Sequence, residues 1–270
     1  MSCRICKSPV NHAFQSIILE KYTAHYDYCG SCGFLSAREP FWLDEAYDDA
    51  IAFSDTGLVE RNISLARKLS AILYLVFNER RDGYFLDEAG GYGLLTRLMR
   101  DYGFDFYWED KFCDNIFAKG FEEQFAIGEC RAVTAMEVME HIEDPLSFVE
   151  DILNKTKSDT FIFTTVLFSG YPPAPGNWHY YSFETGQHIS FYQKRTLAEL
   201  SKRLDMKFYS SNGIHIFTKR RISKLLLSLC SGRLNLLLSP FVRGMLGCRI
   251  VKDHNLIVTR LNIQNKDLRS

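Results

Sequence analysis

The sequence predicts an α/β fold with a largely parallel sheet, fronted by a small cysteine-rich module. Three observations carry this. Cysteines stand in two C-x2-C pairs, Cys3/Cys6 and Cys29/Cys32. The run "FLDEAGGYGLLTRLM" (85–99) places Gly90, Gly91 and Gly93 between an apolar strand and an apolar-periodic helix. The run "TFIFTTVLF" (160–168) is β-branched and apolar throughout, the pattern of a strand buried on both faces.

The totals suit such a chain. Its 270 residues allow one full domain and a small appendage, and 46% hydrophobic with 24% charged residues is ordinary for a globular protein. The net charge is -1, from 32 basic and 33 acidic residues, so bulk nucleic-acid binding is not expected. The first 25 residues contain no apolar signal-like core. The richest apolar stretch, "ISKLLLSLCSGRLNLLLSPFV" from 222, is interrupted by Lys224, Gly232, Arg233 and Asn235. The expectation is a cytoplasmic protein without disulfides.

At the front, 22 residues separate the two knuckles "CRIC" and "CGSC". Each knuckle puts two sulfurs on one tight turn, and two turns supply four thiolates to a tetrahedral ion. Cys3, Cys6, Cys29 and Cys32 are therefore expected to hold a structural zinc in a module spanning 1–38. Four thiolates leave no open position for substrate. His12 and His25 are read as surface residues. Cys113, Cys130, Cys230 and Cys248 lack paired spacing and are read as buried or half-buried apolar residues.

Residues 39–82 read as a connector. From Leu58, Ile63, Leu65, Leu69, Ile72, Leu73, Val76 and Phe77 recur at helical spacing. Asp55 and Asn78 suit its start and stop. "SDTG" (54–57) is read as a turn.

A βαβ unit follows Gly83. "YFL" leads into Asp87, the helix places Leu94, Leu95, Leu98 and Met99 on one face, and "FDFYWED" ends in Glu109 and Asp110. An acid about 20 residues beyond a glycine turn marks nucleotide-binding crevices. A dinucleotide fingerprint fails here, because its sixth place falls on Leu94 or Thr96. The acid-x-G-x-G-x-G turn of S-adenosylmethionine (SAM) enzymes fits better, as Asp87, Ala89, Gly91 and Gly93. Alanine is acceptable at 89 if its φ stays negative.

The next strand ends near Ala135 and is followed by Glu137, Glu140 and His141; Asp144-Pro145 then opens a helix. Such strand ends open onto a ligand crevice, which makes His141 a general base or a loop clamp. The loop 169–192, rich in proline and aromatics, is expected to overhang the site. Trp178, His179, Tyr180, Tyr181 and His188 could stack on and bond a polar ring, or pack on one another as a lid. "KRTLAELSKRLDM" reads as a helix with a solvated basic face. "MKFYSSNGIHIFTK" and "CRIVKDHNLIVTRL" read as final hairpin strands, with a helical insert at about 219–247 between them. That insert opens on the basic, amphipathic "KRRISKLLLSLC". Packing on its own domain competes there with a partner or membrane-surface contact.

Together, "CRIC…CGSCGFL", "WLDEAYDDAI…DTGLVERN", "GGYGLLTRLMRDYGFDFYWED", "EVMEHIEDP" and "GQHISFYQKRTL" resemble class I SAM-dependent methyltransferases with an N-terminal four-cysteine zinc module. Sugar methyltransferases that act on nucleotide-linked deoxysugars share this plan, and bacterial polysaccharide clusters carry similar chains of unknown substrate. The resemblance implies a Rossmann-like, seven-stranded sheet with a reversed final hairpin over residues 83–270. It implies SAM as cofactor and a sugar or nucleotide-linked sugar as acceptor. Asp87, Ala89, Gly91, Gly93 and Glu137 would line the cofactor, Asp110 (or Glu109) its ribose, and Phe112 its adenine. His188, then His141, would serve as base, with Glu137 and Tyr181 beside them. Related sugar C-methyltransferases have a Glu-His pair where Gln187-His188 stand, so the resemblance favours O-methylation. Glu137, Glu140, His141 and His188 also resemble the divalent-metal motif of certain RNA and quinone O-methyltransferases. Glu88 and Ala89 depart from the SAM pattern, which leaves a non-catalytic SAM-fold scaffold as the other class.

Overall fold

The computed structural model describes residues 1–47, 55–79 and 83–267. The "DEAYDDAI" stretch from 48 onward, Ser54 of the expected turn and the end of the connector at 80–82 lie outside them. In chain order the strands are β1 (Asn11–Ile18), β2 (Tyr22–Tyr28), β3 (Leu35–Ala37), β4 (Tyr84–Glu88), β5 (Phe106–Glu109), β6 (Cys130–Ala135), β7 (Thr160–Thr164), β8 (Ser190–Phe191), β9 (Lys207–Ser211) and β10 (Ile214–Thr218). The helices are α1 (Leu43–Ala46), α2 (Leu58–Ala71), α3 (Leu94–Asp101), α4 (Pro145–Thr156), α5 (Lys194–Arg203), α6 (Lys224–Ser231), α7 (Asn235–Leu246) and α8 (Ile250–Asp267). They form two compact units, Met1–Asp55 with Ala132–Arg221, and Thr56–Arg131 with Ile222–Ser270.

The first unit contains a sheet of order β1-β2-β3-β8. In β2, Ala24 and Tyr26 are buried while Thr23 and His25 are exposed, the period-two pattern of a half-covered strand. Strand β8 comes from far along the chain and pairs antiparallel with β3, Leu35 opposite Phe191. Tyr26, Leu35 and Trp42 share one core with Tyr180, Tyr181 and Phe191. The cysteine-bearing segment and the aromatic loop are thus one packed body. The same unit holds β6 parallel to β7, β7 antiparallel to β10, and the β9–β10 hairpin. All five residues of β7 are buried, the apolar Phe161–Ile162–Phe163 run and the β-branched threonines at its ends alike. Helix α4 starts as expected, with Asp144 accepting from the Ser147 amide and Pro145 in the first turn.

In the second unit, β4 and β5 pair in parallel, Phe85 opposite Phe106, with α3 between them in sequence. Helix α2 runs into a π-helical turn at Ile72–Val76 and stops near Asn78, whose φ is 58°. Its N-cap is Gly57 rather than Asp55. Against α2 pack α3, α6 and α7.

Three expectations are corrected. The final hairpin is β9–β10 alone, and "CRIVKDHNLIVTRL" is helical, most of it in α8. Its β-branched run misleads because burial follows a helical face. Arg249, Asp253, Leu256, Ile257 and Arg260 lie inward at helical spacing, with Ile250, Val251 and Val258 exposed. The segment from 224 is therefore three successive helices after the last strand, not an insert inside a hairpin. Outside the β1-β2-β3-β8 sheet, six strands occur among the described residues, β4 and β5 in one unit and β6, β7, β9 and β10 in the other, where seven were expected.

Candidate functional site

The glycine turn sits between β4 and α3. Asp87, at the end of β4, is buried and accepts from the Thr96 hydroxyl at 3.0 Å. Ala89 takes φ +52°, against the negative value that alanine prefers, so the turn carries alanine in a left-handed conformation. Gly90 is required by close approach, because a Cβ there would lie 2.8 Å from Trp108 and 2.9 Å from Asp87 Oδ2. In sequence this glycine is visible only as part of the turn, since it matches none of the cofactor pattern's places. Gly91 differs: φ is +56°, and its Cβ direction meets nothing within 4 Å. Gly93, also left-handed, is the N-cap of α3.

Asp110 ties this turn to the end of β5. Its Oδ2 accepts from the Gly91 amide at 2.8 Å, and its Oδ1 accepts from the Phe112 and Cys113 amides at 2.7 and 2.8 Å. Trp108 Nε1 donates to the Gly91 carbonyl at 2.7 Å. Phe112 is 59% exposed, so it is no core residue. Glu109, half-buried, ends β5 one residue before Asp110.

The four cysteines converge in the first unit. Cys3 and Cys32 Sγ lie 3.6 Å apart, Cys6 and Cys29 Sγ 3.4 Å, and all four within 4.8 Å of one another. A zinc with Zn–S bonds of about 2.3 Å sets tetrahedral sulfur–sulfur edges of about 3.8 Å, so the set fits the ion. Hydrogen bonding from Cys32 pulls the Cys3 thiol down to about 5, against the pull of burial. Helix α5 supports both knuckles. Arg195 donates to the Gly30 and Ser31 carbonyls, Thr196 to Cys32 O, and Arg203 to Cys6 O. Arg195 and Arg203 are thus clamps, not the solvated charges expected. His12 and His25 are exposed, as is Cys248, which was expected to be at least half-buried.

A second cluster in the same unit joins Glu140, His141 and His188, with one ligand-capable atom of each within 4.8 Å of the others. The turn at Met139–His141 carries the first two. Glu140 is fully buried; its Oε1 accepts from the Tyr180 hydroxyl at 2.6 Å, and its Oε2 has no hydrogen-bond partner. Burial, then the charge of Glu137, pushes this acid up to about 8. His141 Nδ1 meets the Tyr47 hydroxyl at 3.0 Å. Burial, with His188 adding, lowers His141 to about 3, so it stays neutral and takes protons poorly. His188 Nδ1–H donates to the Tyr180 carbonyl at 2.7 Å, which turns Nε2 outward from that bond; burial lowers this histidine too. The two rings stand 4.8 Å apart, edge to face.

Other expected residues sit elsewhere. Glu137 has φ +56° and its amide donates to the Thr164 hydroxyl, outside the Glu140–His141–His188 set. Tyr181 is buried in the aromatic core, stacked on Phe183 at 5.0 Å, with its hydroxyl given to Pro173 O. Gln187, also buried, donates to Ala46 O. The loop 169–192 therefore packs most of its aromatics inward, Tyr180 and Tyr181 buried with Trp178 against them, while Tyr171 is exposed.

A glycine turn between a strand and a helix of a parallel βαβ unit is where open α/β folds hold nucleotide-type ligands. The profile of the family described as "Methyltransferase domain" matches residues 60–210, over half of the chain, and the protein belongs to that family. It is a methyltransferase. No curated protein matches the chain. Similar solved structures include a magnesium protoporphyrin IX methyltransferase from Synechocystis PCC 6803 with bound SAH, at 10% identity and a TM-score of 0.41, covering 65% of this chain and 90% of that one. An O-methyltransferase family protein from Burkholderia thailandensis shows 12% identity, a TM-score of 0.43, and coverage of 67% and 63%. A plantazolicin methyltransferase in complex with SAH shows 13% identity, a TM-score of 0.44, and coverage of 73% and 84%.

Proposed function

We propose that the protein is a SAM-dependent methyltransferase acting on a small polar acceptor. The observation that carries this is Gly91: a left-handed residue facing open space, held by the acid that follows β5. Backbone can approach a ligand closely there. When bound, SAM supplies an electrophilic sulfonium methyl. Asp87, Ala89, Gly91 and Gly93 shape the methionine end, and Glu137 is retained beside the cofactor from the motif alone. Phe112, with its ring exposed, suits adenine stacking. Asp110 already serves three amides as a turn clamp, so Glu109 takes the ribose diol. Titration with S-adenosylhomocysteine tests this. Glu109→Gln is expected to weaken binding, whereas Asp110→Ala, which unties three turn amides, lowers both binding and thermal stability. Full affinity in Glu109→Gln sinks the diol assignment, and no binding by folded wild-type protein brings back the scaffold class.

His188 is the proton acceptor in this proposal. Its Nδ1–H is fixed on Tyr180 O, so the neutral ring offers Nε2 to an acceptor hydroxyl. His188→Ala should cut kcat by about 10²–10⁴-fold while cofactor affinity holds. Tyr181 and Gln187 support this histidine's loop from the core. A sugar or nucleotide-linked sugar as acceptor, and oxygen as the atom methylated, rest on the motif resemblance.

The Cys3, Cys6, Cys29 and Cys32 set would hold a structural zinc. One observation favours a second reading, in which the enzyme is a metal-dependent O-methyltransferase: the unpartnered, buried Glu140 Oε2 beside two histidines whose Nδ1 atoms are already engaged. Histidine ligands commonly fix one nitrogen on a neighbour in this way. Glu140, His141 and His188 would hold a divalent ion that orients the acceptor oxygen. Turnover that survives chelation with the cysteine zinc retained removes this reading.

A further inference from the structure

Helices α6 and α7 present their apolar side chains outward. In α7 the buried positions are Asn235, Ser239 and Val242, whereas Leu236, Leu237, Phe241 and Met245 are 56%, 73%, 52% and 53% exposed. An amphipathic helix of a globular domain does the reverse. In α6, Leu225 is 73% and Leu229 39% exposed, with Leu227, Cys230 and Ser231 buried. The two helices pack on each other, so their exposed leucines and Phe241 belong to one helical pair. Isolated exposed leucines need no explanation, but a concentration of this kind marks an interaction surface.

The charge around them is one-sided. The chain as a whole balances 32 basic against 33 acidic residues, yet between Asp205 and Asp253 there is no acidic residue and there are nine Lys or Arg. Lys224, Arg233 and Arg243 are exposed on or between these helices. Two copies of such a face would bring like charges together. An anionic surface would neutralise them while the leucines leave water.

We propose that α6 and α7 form a membrane-docking element. It lays Leu225, Leu237, Phe241 and Met245 into the headgroup boundary of an anionic bilayer, with Lys224, Arg233 and Arg243 on lipid phosphates. Docking lies in the plane of the membrane. Among the described residues no single helix is long and apolar enough to cross, and α6 and α7, which reach that apolar length only together, bend by 95° where they meet. Leu227, Cys230 and Val242 stay buried in the unit while the opposite faces engage lipid.

The test is co-sedimentation of the zinc-loaded full chain with phosphatidylcholine vesicles, with and without phosphatidylglycerol, at low and high salt. Binding should require phosphatidylglycerol and fall with salt. Removing Lys224, Arg233 and Arg243 together should weaken it about a hundred-fold, at about five-fold per cation. Leu237→Glu with Phe241→Glu should abolish it, while circular dichroism and S-adenosylhomocysteine binding stay as in wild type. The proposal is overturned if wild-type protein ignores anionic vesicles at low salt, or if the double glutamate variant binds them undiminished. It is equally overturned if light scattering shows a dimer that the double variant dissolves, since a second copy then covers the face.

Discussion

Ala89 shows how a single residue can satisfy a turn at a cost. Its φ of +52° lies where a Cβ crowds the carbonyl, so glycine should serve better. Ala89→Gly is expected to raise stability by about 1 kcal/mol, seen as a higher melting temperature, with S-adenosylhomocysteine affinity retained. A lower melting temperature would mean that the methyl packs against something useful. His215 offers a second case. It is 2% exposed, its Nε2 lies 3.1 Å from Thr165 O, and burial lowers its pKa from 6.5 to about 4. The folded state keeps it neutral while the unfolded chain takes up a proton below about 6.5. Stability is therefore full above that pH and is lost as pH falls toward 4, by about 3 kcal/mol in all. Denaturant melts across this window should show that slope, and His215→Gln should make it shallower by this residue's share, the rest coming from His141 and His188, which burial lowers in the same sense. Residues of this kind separate what sequence displays from what it hides. The cysteine knuckles and the Asp87–Gly93 turn are spacings, and spacing is visible. The sign of φ at Ala89, the packing need at Gly90 and the commitment of Asp110 to three amides depend on partners that meet only in the folded chain.

At the scale of elements, helical periodicity located α2, α3, α4 and α5, because each buries an apolar stripe at helical spacing. It failed at α8, where the inward face is charged. Arg100, fully buried, donates to both oxygens of Asp253 at 2.8 Å and to Asp105 at 2.7 Å. Arg97 joins Asp253 at 2.9 Å. A hydrophobic pattern cannot announce a helix docked through ions. Asp253→Ala leaves the Arg100 guanidinium buried with half its partners, and should destabilise the chain by about 3–5 kcal/mol in chemical denaturation. A loss under about 1 kcal/mol would show that α8 is held by other contacts. The aromatic loop 169–192 is the opposite failure: its composition marks it, but nothing in sequence says whether the rings face a ligand or the β1-β2-β3-β8 core. Trp178, Tyr180 and Tyr181 face the core, which is why Tyr181 reads as catalytic in sequence and as packing in three dimensions.

For the whole molecule, the balance between zinc and core sets what chelation should do. The sheet of the cysteine segment shares its buried residues with Phe168, Tyr180 and Phe191, so loss of a zinc held by the four cysteines would be felt beyond residue 38. Cys6→Ser, or zinc extraction by a strong chelator, should lower the melting temperature and expose tryptophan fluorescence from Trp42 and Trp178 together. Metal analysis should find about one zinc per wild-type chain if Cys3, Cys6, Cys29 and Cys32 form a closed site. A melting curve indifferent to the chelator would show that the β3–β8 pairing holds this unit without metal.

That pairing also has a consequence in time. The partner of β3 is β8, and Leu35 must wait for Phe191. A ribosome adding about 5–20 residues each second needs roughly 8–30 s to make the stretch between them. During that interval the cysteine knuckles can take up zinc, but the sheet they anchor has a bare edge. The nascent chain thus passes through a stage in which β3 is open to unrelated strands, and any chaperone that shields this protein would be expected to act there.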